Sequence, residues 1–354
     1  MRDAYSKTGV DSFQEEKSMK RLLGWINQTF PFRETIGKNL LPIGFFANVI
    51  DLGNHVGIAL SMDGVGTKIL VAERARKYDT IGIDCVAMNV NDLLCLGAEP
   101  VSFMDYIAVT KVEPDVIEQL AKGFYEGARQ ANVNIPGGEL AQVKELLHEG
   151  ENSIDLVGTA LGIIDTDKII TGREIHPGDT IIGLPSNGIH SNGLTLARKL
   201  LLDNPEIPQQ EIMLELLQPT AIYVHHIMAI LKKIPIHGMA HITGEGFLNI
   251  LRLETNALYK IRKLPPVPPI FQTIQKYGEI PMTEMFKIYN MGAGYIVIMD
   301  PKDVPLAMQT WKKLNLSAFE MGEVLSYPKP RIEIDPYQIF SEGEGFASFA
   351  PLHE

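Results

Sequence analysis

A glycine-rich turn at the end of an apolar run constrains the fold of this chain more than any other feature. Residues 56–62 are largely apolar and predict a buried strand. The turn that follows offers a carboxylate, two glycines, a hydroxyl and an ammonium group: Asp63, Gly64, Gly66, Thr67 and Lys68. Glycine lets the backbone turn sharply before the next helix begins. The sequence therefore predicts that a carboxylate, free N–H groups and a cation meet at the carboxyl end of a strand.

A helix with an acidic face follows this turn. Residues 80–96 predict a helix that ends at Gly97. Asp84, Asn91 and Asp92 lie on one face of it, because they are spaced at i, i+7 and i+8. Carboxylates and carboxamides beside a glycine turn suit Mg²⁺ that holds a polyphosphate.

Each element alone has a simpler explanation. Asp and Gly are ordinary turn residues, and Asp84 and Asp92 could belong to a solvated helix face. The turn is also not a P-loop, which needs a different glycine spacing and a Gly-Lys-Ser/Thr order. The strand end, the two glycines and the one-sided acidic helix occur together, and this combination favours a nucleotide site.

Length and composition indicate a globular protein of two domains. The chain has 354 residues, of which 45% are hydrophobic and 21% are charged, and one core rarely serves so long a chain. We expect domains at residues 1–168 and 169–354, because residues 166–179 are rich in turn-forming glycine and proline. The net charge of −11 disfavours nucleic acid or an anionic membrane as the main partner.

The sequence also predicts the compartment. No apolar run approaches the ~20 residues of a transmembrane helix, and the N-terminus lacks the apolar core of a signal peptide. Cys85 and Cys95 lie ten residues apart on the same predicted helix, too far apart to bridge each other. We therefore expect a cytoplasmic protein.

Strands and helices alternate along both halves. Residues 101–109 and 154–164 predict strands that are apolar on both faces, so helices must cover one face and something else the other. Pro114 begins an amphipathic helix, and residues 136–139 predict a turn. In the second half we expect strands at residues 180–184 and 295–299, helices at residues 194–202, 221–231, 246–253 and 304–314, a stiff connector at residues 265–269 and a loosely held segment at residues 342–345.

A second strand-turn-helix junction carries an unusual density of small polar residues. They surround His190 and comprise Ser186, Asn187, Gly188, Ser191, Asn192 and Gly193. Ser191 and Asn192 are good helix N-caps, which is the simple explanation. A histidine and repeated Asn-Gly elements at a helix N-terminus also form an anion pocket, and this interpretation accounts for more of the residues.

A third junction repeats the pattern with His241, Thr243 and Gly244. A single histidine near a turn is usually structural, whereas two at matching junctions leave a functional role equally open. Residues 290–294 contain glycines that either form a tight turn or let backbone approach a ligand.

Taken together, these segments resemble the aminoimidazole ribonucleotide synthetase family, the phosphoribosylformylglycinamidine cyclo-ligases of purine biosynthesis. The matching motifs occur in family order over nearly the whole chain, at residues 5–11, 63–68, 82–92, 97–100, 105–106, 137–139, 190–193, 241–244 and 290–292. The resemblance implies a mixed α/β (α+β) fold of two domains. It also implies a homodimer in which the N-terminal sheets pair into a barrel, beside a C-terminal α/β domain.

The resemblance implies a reaction and residue roles. ATP would drive cyclisation of formylglycinamidine ribonucleotide, a small-molecule substrate, to aminoimidazole ribonucleotide. Asp63 and Asp92 would hold Mg²⁺, and His190 or His241 would move protons. The nucleotide site would comprise Asp11, Asp63, Gly64, Gly66, Thr67, Lys68, Asp84, Asn91 and Glu139. The substrate site would comprise Ser186, Asn187, Gly188, Ser191, Asn192, Gly193, Thr243 and Gly244, with residues 186–193 gripping the ribose 5′-phosphate.

The chain departs from the family pattern at three places. The loop usually written Gly-Gly-Phe-Gly-Ala is Ile-Gly-Phe-Phe-Ala at residues 43–47, little of the family segment after Glu139 is kept, and Glu245 replaces a glycine. Two alternatives therefore stay open. One is another ATP-using enzyme of the same superfamily, and the other is a non-catalytic nucleotide-binding dimer of this fold.

Overall fold

The computed structural model describes residues 12–147, 153–202 and 204–349. The predicted ligand Asp11 and the motif at residues 5–11 lie outside these ranges. Within them, no helix has both the length and the apolar character needed to cross a bilayer.

The first half forms a five-stranded sheet with helices on one face. Its elements are α1 (Ser12–Ile26), β1 (Asn48–Asp51), β2 (Val56–Gly64), α2 (Lys68–Ala75), α3 (Ile81–Cys95), β3 (Glu99–Val109), α4 (Pro114–Ala131), β4 (Gly138–Gln142) and β5 (Ile154–Asp165). The strand order is β1-β2-β5-β3-β4, and β3 and β4 run parallel while the other neighbours run antiparallel.

Helix α3 forms the centre of this half. All but one of its residues are buried, because the sheet, α4 and the second half of the chain enclose it. The helix ends before Gly97, whose φ of +82° suits glycine. Gly82 and Gly123 let α3 and α4 approach closely, since a Cβ on Gly82 would lie 2.3 Å from the Phe124 backbone nitrogen.

The opposite face of this sheet is apolar and open within the described residues. Side chains alternate along each strand, and the face away from α3 presents a group of exposed large side chains. They are Val56 (41% exposed), Met62 (72%), Met104 (47%), Tyr106 (42%) and Ile163 (51%). The prediction that helices cover one face and leave the other in need of a cover matches this arrangement.

The second half forms an eight-stranded sheet with a larger set of helices. Its elements are β6 (Thr180–Pro185), α5 (Leu194–Leu201), α6 (Gln209–Leu216), α7 (Val224–Leu231), β7 (Gly238–His241), β8 (Ala257–Ile261), α8 (Pro269–Gly278), α9 (Met282–Ile288), β9 (Ala293–Met299), α10 (Val304–Lys313), β10 (Phe319–Ser326), β11 (Arg331–Ile334), β12 (Ile339–Ser341) and β13 (Phe346–Ser348). The order is β13-β12-β11-β8-β10-β6-β9-β7, in which β9 is buried at every position.

Several predicted elements need correction. Gly138 and Glu139 belong to β4 rather than to a turn, because their backbone pairs with β3. The helix expected from residue 221 begins at Val224, and the one expected from residue 246 is a 3₁₀ helix, Gly246–Arg252. Residues 342–345 are not loose throughout, since Glu342 forms ion pairs with two cations: Lys329 (2.5 Å) and Arg331 (2.9 Å).

Candidate active site

Two carboxylates and a histidine meet where the two halves of the chain face each other. Asp63 is the last residue but one of β2, Asp92 lies on α3 and His241 ends β7. His241 Nδ1 lies 2.8 Å from Asp92 Oδ1. Burial and, after it, the nearby charge of Asp92 raise the pKa of Asp63 from 3.8 to about 6, while the Gly64 backbone N–H and His241 oppose the shift. The ionised form of Asp63 is therefore less favourable here than in water.

Asn91, which precedes Asp92 on α3, orients His241. Its Oδ1 accepts a hydrogen bond from the Tyr223 backbone N–H (3.0 Å), and its Nδ2 donates to the Ala221 carbonyl (2.8 Å). Nδ2 also lies 3.4 Å from His241 Nε2. The two ring nitrogens therefore have different partners: Nε2 faces the Asn91 amide and Nδ1 faces the Asp92 carboxylate. The predicted nucleotide residue Asn91 is here a positioning residue for His241.

Asp84 and Lys68 occupy the interior instead of an open phosphate site. Lys68 Nζ lies 2.9 Å from Asp84 Oδ1 and donates to the Gln218 carbonyl at 2.6 Å, and both ionic side chains are 0% exposed. Burial lowers the pKa of Lys68, and the Asp84 charge opposes that shift. In this arrangement both residues tie the halves together, and their contact with a nucleotide stays a prediction.

The same Asp84 oxygen accepts three further hydrogen bonds from the second half. Thr220 donates through its backbone N–H and its hydroxyl, both at 2.7 Å, and the Ser191 hydroxyl donates at 3.2 Å. The Ser191 side chain is therefore not the helix N-cap that the sequence suggests. Gly193 occupies the N-cap position of α5 with a φ of +74°.

The junction at residues 186–193 is held by a polar network from Asn290. Ser186 Oγ donates to Asn290 Oδ1 (2.8 Å), and Asn290 Nδ2 donates to the Gly188 carbonyl (2.8 Å). Asn187 is exposed and donates to the Pro219 carbonyl. Asn192 differs, because its Nδ2 is buried and has no hydrogen-bond partner among the described residues. Such an amide is a ready donor for a ligand.

His190 is enclosed and neutral. It is 1% exposed, and its backbone has a φ of +60°. Its Nε2 accepts from the Asn187 backbone N–H at 3.2 Å. Burial lowers the pKa of His190 well below its ordinary value, and the charges of His241 and Lys68 lower it further. Of the two predicted proton carriers, His241 is the one that contacts a carboxylate, that of Asp92.

The remaining predicted residues fall into two groups. In the first group, Thr67 contacts the second half and Gly244 lies beside Asn192, while the ligand contacts of Gly64, Gly66, Thr67, Thr243 and Gly244 stay a prediction. Thr67 Oγ1 lies 2.9 Å from Thr195 Oγ1, and a Cβ on Gly244 would lie 3.2 Å from Asn192 Oδ1. Glu139 is separate, because it is exposed on edge strand β4 and pairs with Tyr106 on the open face of the sheet. The structure does not bring it to Asp63.

Sequence reasoning missed the residues that complete these contacts. Gln218 and Thr220 bind the Lys68–Asp84 pair, and Asp105 faces Asp63 across Gly158 in the sheet. Burial raises the pKa of Asp105 as well. The interruption of an apolar segment by Gln-Pro-Thr at residues 218–220 was the available signal for the first two.

Family matches cover both halves of the chain. Residues 46–164 match the family described as AIR synthase related protein, N-terminal domain, and residues 176–351 match AIR synthase related protein, C-terminal domain. A solved structure described as AaThiL complexed with AMPPCP and TMP is similar with a TM-score of 0.61 at 15% identity, over 92% of this chain and 95% of that chain. The two-domain mixed α/β fold that the resemblance implied is confirmed.

Two archaeal relatives are similar over nearly their whole length. The phosphoribosylformylglycinamidine cyclo-ligase of Pyrococcus furiosus is 44% identical over 341 residues, which cover 95% of this chain and 98% of that protein. The protein of the same name from Thermococcus kodakarensis is 43% identical over 334 residues, which cover 93% and 97%.

Replacement of Asp63 by Asn should stabilise the metal-free protein at high pH. The raised folded-state pKa means that ionising Asp63 costs stability progressively as the pH rises from 3.8 to about 6. The full cost is about 3 kcal/mol at 1.36 kcal/mol per pKa unit. Asp63→Asn should therefore gain up to about 3 kcal/mol near pH 8 and nothing near pH 3.5.

Urea unfolding at both pH values measures the difference between Asp63→Asn and wild type. Asp51→Asn is the matched control, because Asp51 also accepts a hydrogen bond from a following backbone N–H, that of Gly53, but lies outside this cluster. A gain in the free energy of unfolding that does not depend on pH would show that ionisation of Asp63 costs no stability.

Proposed function

This chain belongs to the AIR synthase related protein family, and we propose that it closes the imidazole ring of aminoimidazole ribonucleotide at the expense of ATP, using the site at Asp63, Asp92 and His241. The observation that carries the reaction is the 44% identity, over 95% of the chain, to a protein named phosphoribosylformylglycinamidine cyclo-ligase. The carboxylates that a nucleotide-using enzyme needs are present and close together. The alternative of a non-catalytic dimer is not favoured.

The chemistry requires activation of a poor leaving group. The amide oxygen of formylglycinamidine ribonucleotide attacks the γ-phosphorus of ATP, and ADP leaves. An amidine nitrogen then attacks the activated carbon, the carbon–oxygen bond breaks and phosphate leaves with that oxygen. Positioning and charge neutralisation are the main tasks of such an enzyme.

Asp63 and Asp92 fit a Mg²⁺ ion. Their oxygen ligands are those that Mg²⁺ prefers. Burial and the nearby charge of Asp92 raise the pKa of Asp63, so a cation bound beside the two carboxylates would favour the ionised form of Asp63. Bound Mg²⁺ would neutralise charge on the ATP phosphates. Asp92 would then orient both the ion and His241, whose proximity to the carboxylates suits it to accept a proton during ring closure.

Asn192 and its neighbours suit the 5′-phosphate of the substrate. The buried Nδ2 lacks a partner among the described residues. Helix α5 begins two residues later, at Leu194, and the first N–H groups of a helix have no partner within it. Gly244 borders the same place without filling it with a side chain. Asn192 would therefore donate to an anionic oxygen.

The open face of the first sheet suits a second copy of the chain. Five large apolar side chains, including Met62 and Ile163, are exposed there, and patches of this kind mark interfaces. A homodimer that pairs two such sheets would cover them.

Two free buried cysteines, Cys85 and Cys95, are in keeping with a reducing cytoplasm.

Asp92→Asn should abolish turnover while the fold is kept. Asn retains an acceptor for His241 Nδ1–H but removes one charge from the proposed Mg²⁺ site. The loss of kcat should exceed the roughly 10–100-fold that follows removal of a group behind a metal ligand. The assay supplies formylglycinamidine ribonucleotide, ATP and Mg²⁺ and follows aminoimidazole ribonucleotide as its coloured diazo adduct.

Asp115→Asn, an exposed change on α4, is the control for charge alone. Failure of the wild-type chain to turn over would reject the proposed reaction. Wild-type rates for Asp92→Asn at limiting Mg²⁺ would remove Asp92 from the site.

Asn192→Ala should raise KM for the ribonucleotide without loss of stability. A hydrogen bond to a charged group contributes about 1.5–3 kcal/mol, so we expect roughly a 10–100-fold increase. Thermal stability should hold, because Nδ2 loses no protein partner. Asn256→Ala, at an exposed asparagine of the second half outside residues 186–193, is the control. An unchanged KM combined with a lower melting temperature would make Asn192 structural.

Charged substitutions on the open sheet face should dissociate the dimer. Met62→Lys with Ile163→Lys places two cations where the partner sheet would pack, so sedimentation at micromolar concentration should show a dimer for wild type and a monomer for the variant. Leu306→Lys, at an exposed leucine of α10 in the second half, is the control. A monomeric wild-type chain would contradict the proposed assembly.

A further inference from the structure

Two histidines and an aspartate come together at the segment that joins the two sheets. His237 Nδ1 lies 2.7 Å from Asp179 Oδ2, and the same oxygen accepts the His176 backbone N–H at 2.9 Å. One potential ligand atom from each of the three side chains lies within 4.8 Å of the others. Asp179 is buried, His237 is half-buried and His176 is exposed, so the cluster opens to solvent on one side.

The backbone fixes this geometry before any ligand arrives. Pro177 and Gly178 form the centre of a turn in which the Asp179 N–H donates to the His176 carbonyl at 3.1 Å. Gly178 has a φ of +99°, which a glycine adopts at this turn position without strain. Asp179 and Gly178 are held to Val324 by two backbone hydrogen bonds, each 2.8 Å long. The turn therefore holds His176 and Asp179 in place beside His237.

His237 is held as firmly from the other side. Its backbone N–H donates to the Ile298 carbonyl at 2.9 Å, directly before β7 begins. Three ligand groups on two fixed segments give the preorganisation that a metal site needs.

We propose that His176, Asp179 and His237 bind one divalent transition-metal ion of the Zn²⁺ or Co²⁺ type. Two imidazole nitrogens and one carboxylate oxygen are ligands for such ions, whereas Mg²⁺ prefers oxygen alone. Three protein ligands leave a further position for water, which the exposed side of His176 makes accessible.

The required adjustment is small. Ligand atoms around a four-coordinate ion with bonds of about 2.0–2.1 Å are roughly 3.4 Å apart. The pair of His237 and Asp179 is already closer than that, and the exposed His176 ring can turn toward it. The proton on His237 Nδ1 would shift to Nε2, which frees the Nδ1 lone pair for the ion.

The cationic side chains near this cluster, Lys302 and Arg173, are paired with other carboxylates. Lys302 is near enough to sense the Asp179 charge but lies 2.8 Å from Asp300, its own partner. Arg173 is paired with Glu254 at 2.7 Å. Both of these cations are thus paired with other carboxylates than Asp179.

This site is separate from the one that carries the reaction. His237 precedes β7 and His241 ends it, which puts them roughly 13 Å apart along the strand at 3.3 Å per residue. A bound ion would fasten the connecting segment to the strand that carries His241 without touching ATP or the ribonucleotide. We therefore expect it to raise stability while turnover persists in its absence.

Cobalt binding to the whole chain tests the site. The chelator-treated protein is titrated with Co²⁺ in excess Mg²⁺, and visible absorption is recorded. We expect one Co²⁺ per chain, displaced by Zn²⁺, and a melting temperature that rises with either ion. His176→Gln should weaken Co²⁺ binding by more than the roughly 10–100-fold that follows removal of a group behind a metal ligand. It should also remove the rise in melting temperature while turnover is unchanged, because His176 is exposed and away from Asp63.

Two further variants separate this site from others. His55→Gln removes an exposed histidine that pairs with Asp167 at 2.7 Å but belongs to no group of three possible metal ligands among the described residues. This variant should bind Co²⁺ like wild type. Asp92→Asn should also bind normally. Equal Co²⁺ affinity in His176→Gln and wild type, or loss of Co²⁺ in Asp92→Asn, would overturn the proposal.

Discussion

The Asp84 carboxylate lies fully buried between the two halves of the chain, and four donated hydrogen bonds converge on one of its oxygens. A buried charge is tolerated only when it is paired and hydrogen-bonded. Lys68 supplies the charge, while Thr220 and Ser191 supply the remaining donors. Loss of one partner from such a pair typically costs about 3–5 kcal/mol. The position of the second half against α3 therefore depends on this carboxylate.

Helix α3 links this buried carboxylate to the candidate active site, because Asp84 and Asp92 both lie on it. Asp92 follows Asp84 by eight residues, or roughly 12 Å at 1.5 Å per residue. The two carboxylates differ in their partners. Asp84 is paired with a buried lysine, whereas Asp92 contacts an imidazole nitrogen and its charge adds to the raised pKa of Asp63. One helix thus provides a carboxylate that fixes the halves and another that is available to a cation.

The sequence predicted which faces of the helices and strands are acidic or apolar better than it predicted which residues form hydrogen bonds with each other. The acidic face of α3, the strand before Asp63 and the open apolar face of the sheet follow from local spacing. The partners of Asp84 do not, because Thr220 and Ser191 lie more than 100 residues away in the sequence. The same reason explains why Lys68 was expected at an open site, why Ser191 was a candidate helix cap and why Gly138 and Glu139 were assigned to a turn. Each depends on a distant segment that supplies hydrogen bonds.

The departures from the family pattern at residue 46 and residue 245 meet at one side chain, Arg252. Its guanidinium lies 5.3 Å from the centroid of the Phe46 ring, and its Nη2 lies 2.8 Å from Glu245 Oε2. Phe46 is 7% exposed, so the larger side chain that replaces a glycine joins the core. Cation–π contacts and ion pairs hold side chains in place where glycine would leave backbone freedom. Arg252 therefore fastens the loop at residues 43–47 to the second half, and since neither change touches Asp63, Asp92 or His241, the carboxylate cluster keeps the composition that the reaction requires.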